Sequence, residues 1–270
     1  MENDTEISFP TPVVAWTTLA ILFLAYISSF VDRMIISLLV EPIKADFQIS
    51  DTQISLLLGL SFAIFYCLAA LPIGRLVDIW SRKKIITVGI TLWSFMTALC
   101  GLAQNYTQLF LARIGVGVGE ASLAPAAYSM LADSFPPKKL GLAMGVFTMG
   151  TAVGAGLALI IGGAIISFVT GENGENVSLF GISFLSGWQW VFVLVGLPGL
   201  FIALLTSLIR EPDRIVIKEK KKLYGDISIP ISEVKKFFKI NAGFYIPHHF
   251  AVGCSNLALV GINSWVSVYF

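Results

Sequence analysis

The sequence predicts an all-α membrane protein: a bundle of six membrane-spanning helices followed by the start of a seventh. Three observations predict it. Of the 270 residues, 56% are hydrophobic and only 13% charged, against about 45–50% and about 25% in a soluble domain, so a soluble domain is excluded. Apolar stretches near the roughly 20 residues that a helix needs to cross a bilayer recur at 13–39, 52–73, 85–103, 107–131, 140–169 and 188–209, and a further one runs from 243 to 270. Fifteen of the eighteen Lys and Arg residues fall in alternate loops between these stretches.

Residues 1–12 are read as a short tail. They hold Glu2, Asp4 and Glu6 and no cation, so they lack the basic start of a cleaved signal peptide and the first span is expected to be retained. That span carries Val31-Asp32-Arg33 near its end and exits through Glu41-Pro42 and Asp46-Phe47. The second span leads into Gly74-Arg75-Leu76-Val77-Asp78-Ile79-Trp80-Ser81-Arg82-Lys83-Lys84. The third is joined by 104–106 to the fourth, which carries Arg113, Gly115, Gly117, Gly119 and Glu120. Gly115 and Gly119 form a small-x-x-x-small face that lets a neighbouring helix approach closely. The fifth span carries Gly141, Gly145, Gly150, Gly154, Gly156, Gly162 and Gly163, for which tight packing and hinge flexibility are a sufficient reading. The sixth opens on Trp188-Gln189-Trp190, and 210–242 is a linker with nine cations, held near the anionic cytoplasmic leaflet.

The cations set the orientation. Loops after the second, fourth and sixth spans hold the fifteen, the opposite loops hold Lys44 alone, and Arg33 and Arg113 lie inside spans. The positive-inside rule then places the basic loops and the N-terminus in the cytoplasm of a cell-membrane protein.

Asp32, Arg33, Arg113 and Glu120 are charges inside membrane-length segments, where each costs roughly 2.5–3.5 kcal/mol near the bilayer centre. Such residues face a partner or a water-filled cavity. Arg113 and Glu120 are seven residues apart, which puts them on nearly one helix face about 10.5 Å apart along the axis. That pairing fits a transport pathway, or a static ion pair that locks helix packing. A carboxyl held between desolvation, which opposes its charge, and a nearby cation, which favours it, can take up and release a proton. Arginine stays charged and suits anion binding or control of that carboxyl. Asp32 and Arg33 are adjacent, so their side chains diverge by about 100°. One can line a cavity while the other pairs with a neighbour, or both can reach the outer interface.

The 74–84 turn resembles the loop signature G-x-x-x-D-(R/K)-x-G-(R/K)-(R/K) of the major facilitator superfamily, with Gly74, Asp78, Arg82 and Lys83 at the matching positions. Its chemistry is sensible independently: glycine permits close approach, and the carboxylate and cations can pair or cap helix ends. Ile79 stands in place of a cation and Ser81 in place of the second Gly, so the charge-relay gate of that loop is expected to be incomplete. The Arg113-to-Ser122 stretch is similar to the superfamily's fourth-span motif, and Gly119-Glu120-Ala121-Ser122 with Val31-Asp32-Arg33 resembles its Spinster-type subgroup. The glycines around Gly150 and Gly154 match the fifth-span glycine motif loosely, because Ala155 replaces its proline.

The resemblance covers about 25–205 and implies a six-helix N-terminal bundle of a major facilitator fold, the second bundle being incomplete. It implies a secondary transporter with Glu120 and Asp32 coupling protons, and Arg113 and Arg33 binding an anionic or amphiphilic small molecule such as a lysolipid. The runner-up is an anion–cation symporter of small organic anions. The reading of another class is a non-transporting scaffold or regulatory half-protein. Because superfamily members carry two such bundles and this chain runs to Phe270 inside its seventh span, it is expected to be a fragment, needing the other half or a second copy to complete a cavity.

The remaining motifs are read plainly. Cys67, Cys100 and Cys254 sit in apolar stretches as small hydrophobes. His248 and His249 fall at the start of the seventh span, where an interfacial place is expected. Asn105-Tyr106-Thr107 and Asn176-Val177-Ser178 are sequons of the kind that arise by chance. No metal-ligand cluster, phosphate loop or nucleophile–base pair occurs in the loops, and none is long enough for a nucleotide-binding domain. No enzyme activity, metal, cofactor or nucleic-acid partner is therefore expected; the partners are substrate, protons and the bilayer.

Overall fold

The computed structural model describes residues 9–170, 185–214 and 231–269. The Asn176 sequon and most of the 1–12 tail lie outside the described residues, as do 215–230 of the linker. The chain falls into two units, Met1–Asp213 and Arg214–Phe270.

In the first unit, α1 (Pro12–Leu38) begins on a proline, whose missing N–H costs nothing at a helix start. A short α2 (Val40–Phe47) follows and ends where Gln48 turns left-handed at φ 50°. Then α3 (Asp51–Ser55) starts at a capping box in which Ser50 and Gln53 satisfy each other's backbone amides. It passes through a π-helical turn, Leu56–Leu60, into α4 (Ser61–Ile79). Next come α5 (Arg82–Cys100), α6 (Tyr106–Glu120), α7 (Leu123–Ser134), α8 (Pro137–Thr170) and α9 (Gly187–Leu208).

Among the described residues, six stretches are long and apolar enough to cross a membrane: Pro12–Leu38, Asp51–Ile79, Arg82–Cys100, Tyr106–Ser134, Pro137–Phe168 and Gly187–Leu208. They coincide with the six expected spans, with one correction. The 74–84 stretch, read as a loop, is helical up to Ile79 and again from Arg82. Only Trp80 and Ser81 turn the chain, because the Ser81 hydroxyl accepts from the Lys84 amide and caps α5.

The core is apolar and continuous, from Leu19 and Leu22 on α1 through Trp93 on α5 to Phe147 on α8 and Phe192 on α9. Packing is most extensive between α5 and α9, α1 and α8, and α5 and α6. Small residues set these approaches. A Cβ on Gly119 would stand 2.7 Å from the Trp93 backbone N and 2.9 Å from the Gly89 carbonyl, and one on Gly115 would meet the Met96 side chain at 2.6 Å. Both glycines therefore face α5. On α8, Gly150 and Gly154 face α1, and a Cβ on Gly154 would stand 2.8 Å from the Ile27 carbonyl.

The second unit holds α10 (Ile231–Ile240) and α11 (Ala242–Tyr269), joined through Asn241. The stretch read as linker thus contains a helix, and α11 occupies the place expected of the seventh span.

Replacing Gly119 by Ala should lower the thermal stability of the detergent-solubilised protein by the equivalent of about 1–3 kcal/mol, the usual cost of overpacking. Gly145→Ala should be neutral or stabilising by up to about 1 kcal/mol, since nothing lies within 4 Å of a Cβ built there. A melting series on the two variants checks both.

Candidate transport site

The fourth span is broken where its acid sits. Glu120 is the last residue of α6, the Ser122 amide makes a tight bond back to the Gly119 carbonyl, and α7 starts at Leu123. Pro125 has no N–H to offer the Ala121 carbonyl four residues earlier, so the helix cannot run straight through. Glu120 is left at the negative end of a half-helix, an unfavourable place for a carboxylate, and its side chain has no solvent exposure. Two donors from α1 reach it. Ser29 Oγ donates to Glu120 Oε2 at 2.8 Å, and Arg33 Nε donates to the same oxygen at 2.5 Å. Ser29 and Arg33 are four residues apart, one turn of one helix face. Glu120 Oε1 is buried without a hydrogen-bond partner.

Arg33 lies in an aromatic enclosure. Its guanidinium carbon is 5.0 Å from the Phe30 ring, 4.9 Å from Phe62 and 5.0 Å from Tyr66, all within cation–π range. Phe62 and Tyr66 project together from α4 one turn beyond the π-helical turn, and their own rings are 5.5 Å apart. The Arg33 side chain keeps 23% of its surface exposed, so this is where the buried charge pair meets the outside of the bundle.

The static Arg113–Glu120 ion pair, the alternative to a transport pathway, is not found among the described residues. Arg113 is 1% exposed. Its Nη1 donates to the Asp32 backbone carbonyl at 3.4 Å, and its guanidinium lies 5.7 Å from the Phe62 ring. Asp32, also 1% exposed, turns into the core on the opposite flank from Arg33, as neighbours on a helix must, with Oδ1 lacking a partner. The alternative in which both residues reach the outer interface is excluded for Asp32. Shared-face spacing brought Arg113 and Glu120 to one side of α6, but α1 supplied a nearer cation. Ser29, Phe30, Phe62 and Tyr66 were missed. Their signal was present, since Ser29 and Phe30 lie one turn before Arg33, and Phe62 and Tyr66 are spaced i, i+4.

A second ionic node lies at the basic end of the bundle. Arg82, with no exposed surface, donates from Nη1 to Asp133 at the end of α7 and to the Ser129 carbonyl (3.1 Å). It also donates from Nη2 to the Pro212 carbonyl (2.7 Å) and from Nε to Glu211 (3.2 Å). Ser81, in place of the motif's glycine, donates its hydroxyl to Glu211 at 2.5 Å. The departure at Ser81 therefore adds a contact to this node. Asp78 is exposed and Lys83 half-buried, and no described atom lies within 4 Å of a Cβ on Gly74. Burial alone would push the Glu211 carboxyl up. Hydrogen bonds from Ser81 and from the Arg82 amide and guanidinium more than offset this and hold it below the usual carboxylate range.

With this geometry in place, comparison with known proteins is direct. Residues 22–270 match the model of the Major Facilitator Superfamily. The chain belongs to the major facilitator superfamily. Within it, the likeness is of Spinster type. The inward-facing, unoccupied crystal structure of a bacterial homologue of the human lysosomal transporter Spinster superposes with a TM-score of 0.78 at 33% identity, over 96% of this chain and 56% of that one. Protein spinster homolog 1 of Xenopus tropicalis is 32% identical over 226 residues, 83% of this chain and 40% of that protein. An MFS-type efflux pump of Mycolicibacterium smegmatis is 31% identical over 198 residues, 73% and 42% respectively. The chain thus spans about two fifths of the length of these two curated relatives. Members of the superfamily are transporters rather than enzymes, and this chain is a multi-pass membrane protein.

A carboxylate held low in the folded state stabilises the fold above its ordinary value of about 4.3, and that contribution is lost as pH falls through the depressed one. Thermal unfolding followed from neutral to acid pH should therefore show a decline that Glu211→Gln lacks. Arg82→Ala should cost about 3–5 kcal/mol at neutral pH by leaving carboxylates without their cation.

Proposed function

We propose that this chain is the proton- and substrate-handling bundle of a secondary active transporter working by alternating access. Its substrate is an amphiphilic molecule with an anionic group, such as a lysolipid. The observation that carries the reading is the Arg33–Glu120 pair, open to the outside only at Arg33 and ringed by Phe30, Phe62 and Tyr66. A proton on Glu120 removes the charge that holds Arg33, and the permanently charged guanidinium becomes available to an anion. An anion arriving at Arg33 leaves Glu120 uncompensated and favours its protonation. Each event assists the other, and such coupling is reciprocal, which is the logic of symport. The rings around Arg33 offer apolar surface to the rest of an amphiphile.

Asp32 is a second proton-accepting group, set behind the pair and positioned by Arg113 through its own backbone carbonyl. Arg113 acts from the core, holding α1 and the charge balance rather than touching substrate. The basic loops and the N-terminus face the cytoplasm of a cell membrane, and a second six-helix bundle, in the same polypeptide or from a second copy, closes the cavity. Likeness to Spinster-type transporters supports the amphiphilic substrate class.

The test is uptake of radiolabelled lysophosphatidate into proteoliposomes holding the protein completed by its second bundle. Glu120→Gln should reduce pH-gradient-driven uptake by about tenfold or more while leaving exchange without a gradient measurable. Unchanged gradient-driven uptake would overturn the coupling role, and capture of a partner without any uptake would favour a scaffold. Arg33→Lys, which keeps the charge and loses the flat face that stacks on the rings, should weaken apparent affinity more than maximal rate.

A further inference from the structure

The helix α10 carries a pattern that the transport site does not use. Its side chains from Ser232 to Ile240 are all exposed, including Val234 at 40%, Phe237 at 51% and Phe238 at 52%. At about 100° per residue, Val234, Phe237 and Phe238 share one flank and Lys235, Lys236 and Lys239 the other, with Glu233 the sole acid. The helix is also held firmly at its end. The Asn241 amide and side chain both donate to the Phe237 carbonyl, at 3.0 and 2.9 Å, while the Asn241 carbonyl accepts from Phe244 and Tyr245. The Phe237 and Phe238 rings close the elbow against Tyr245, at 5.9 and 5.6 Å. A cationic amphipathic helix is thus fixed one residue from the mouth of a 28-residue helix.

We infer that α10 lies in the plane of the membrane surface and binds anionic phospholipids: Val234, Phe237 and Phe238 enter the acyl boundary, and Lys235, Lys236 and Lys239 take the phosphate-bearing headgroups. Two features select this occupant. The elbow keeps α10, about 15 Å long, at the level where α11 enters the bilayer. Lys235 borders the apolar face and Lys236 and Lys239 lie on the side away from it, and their long flexible stems carry the charged heads to the headgroups. An anionic leaflet supplies the complementary charge, worth about fivefold in binding for each lysine. The inference rests on the reading of α11 as a membrane span and of the basic loops as cytoplasmic.

Hydrogen exchange of the α10 amides in the whole protein tests it, in nanodiscs of pure phosphatidylcholine and of phosphatidylcholine with phosphatidylglycerol. Protection should rise about tenfold or more with the anionic lipid, fall again in high salt, and lose its lipid dependence in Lys235→Gln/Lys236→Gln/Lys239→Gln. Free exchange in both lipids would overturn the inference. So would equal protection in both that survives the lysine substitutions, which would mark a protein surface as the occupant. Labelling of Ser232→Cys from each side of sealed vesicles, in a chain cleared of its three native cysteines, reads sidedness separately. Exchange in a nanodisc is blind to orientation, so an inverted protein would refute the cytoplasmic reading and leave the lipid result standing.

Discussion

Glu120 ends a half-helix with its side chain wholly shielded from water, and a bare carboxylate there would cost several kcal/mol. Arg33 answers that cost. The constraint spreads outward from the pair. Arg33 can reach Glu120 only if α1 presents Ser29 and Arg33 on the face toward α6. That rotation sends Asp32 into the core, where Arg113 reaches its backbone carbonyl. The break at Ala121–Ser122 puts the acid at this depth, and the rings of Phe30, Phe62 and Tyr66 stand around the cation that meets it.

The two ionic nodes of the bundle differ in how completely they are satisfied. At the basic end, Arg82 uses its backbone amide and all three guanidinium nitrogens, and its partners come from the ends of α7 and α9. Such a network holds elements in one arrangement. In the middle of the bundle, Glu120 Oε1, Asp32 Oδ1 and Arg113 Nε are all buried without a partner. Buried polar atoms left unpaired are rare and costly, and among the described residues three of them belong to the charges of this node. The first node suits a fixed clasp and the second suits a group that changes protonation and partner.

Glycines connect these nodes to the fold. Gly119 lies against Trp93 and Gly89, so the residue before the acid is the one that brings α6 nearest to α5. Gly150 and Gly154 do the same for α8 against the middle of α1, beside Phe23, Tyr26, Ile27 and Phe30. The helices that carry Arg33 and Glu120 are therefore each packed closely from behind, α6 against the α5 backbone and α1 against α8 through its rings and the Ile27 carbonyl.

The sequence by itself determined a great deal. Apolar runs of bilayer length located six spans to within a few residues, because the requirement that every backbone polar group be satisfied inside the membrane leaves helices as the answer. Charge inside those runs singled out Asp32, Arg33, Arg113 and Glu120, because a buried charge is too costly to be incidental. Tertiary structure alone decided which of them meet. Periodicity places residues on a face of their own helix, and so it correctly separated Asp32 from Arg33 and aligned Arg113 with Glu120. It says nothing of the rotation and depth of the neighbouring helix, and those made Arg33 the partner. Asp133 and Glu211 were passed over for the same reason: each is an ordinary acid at the end of a span until three separate chain segments converge on Arg82.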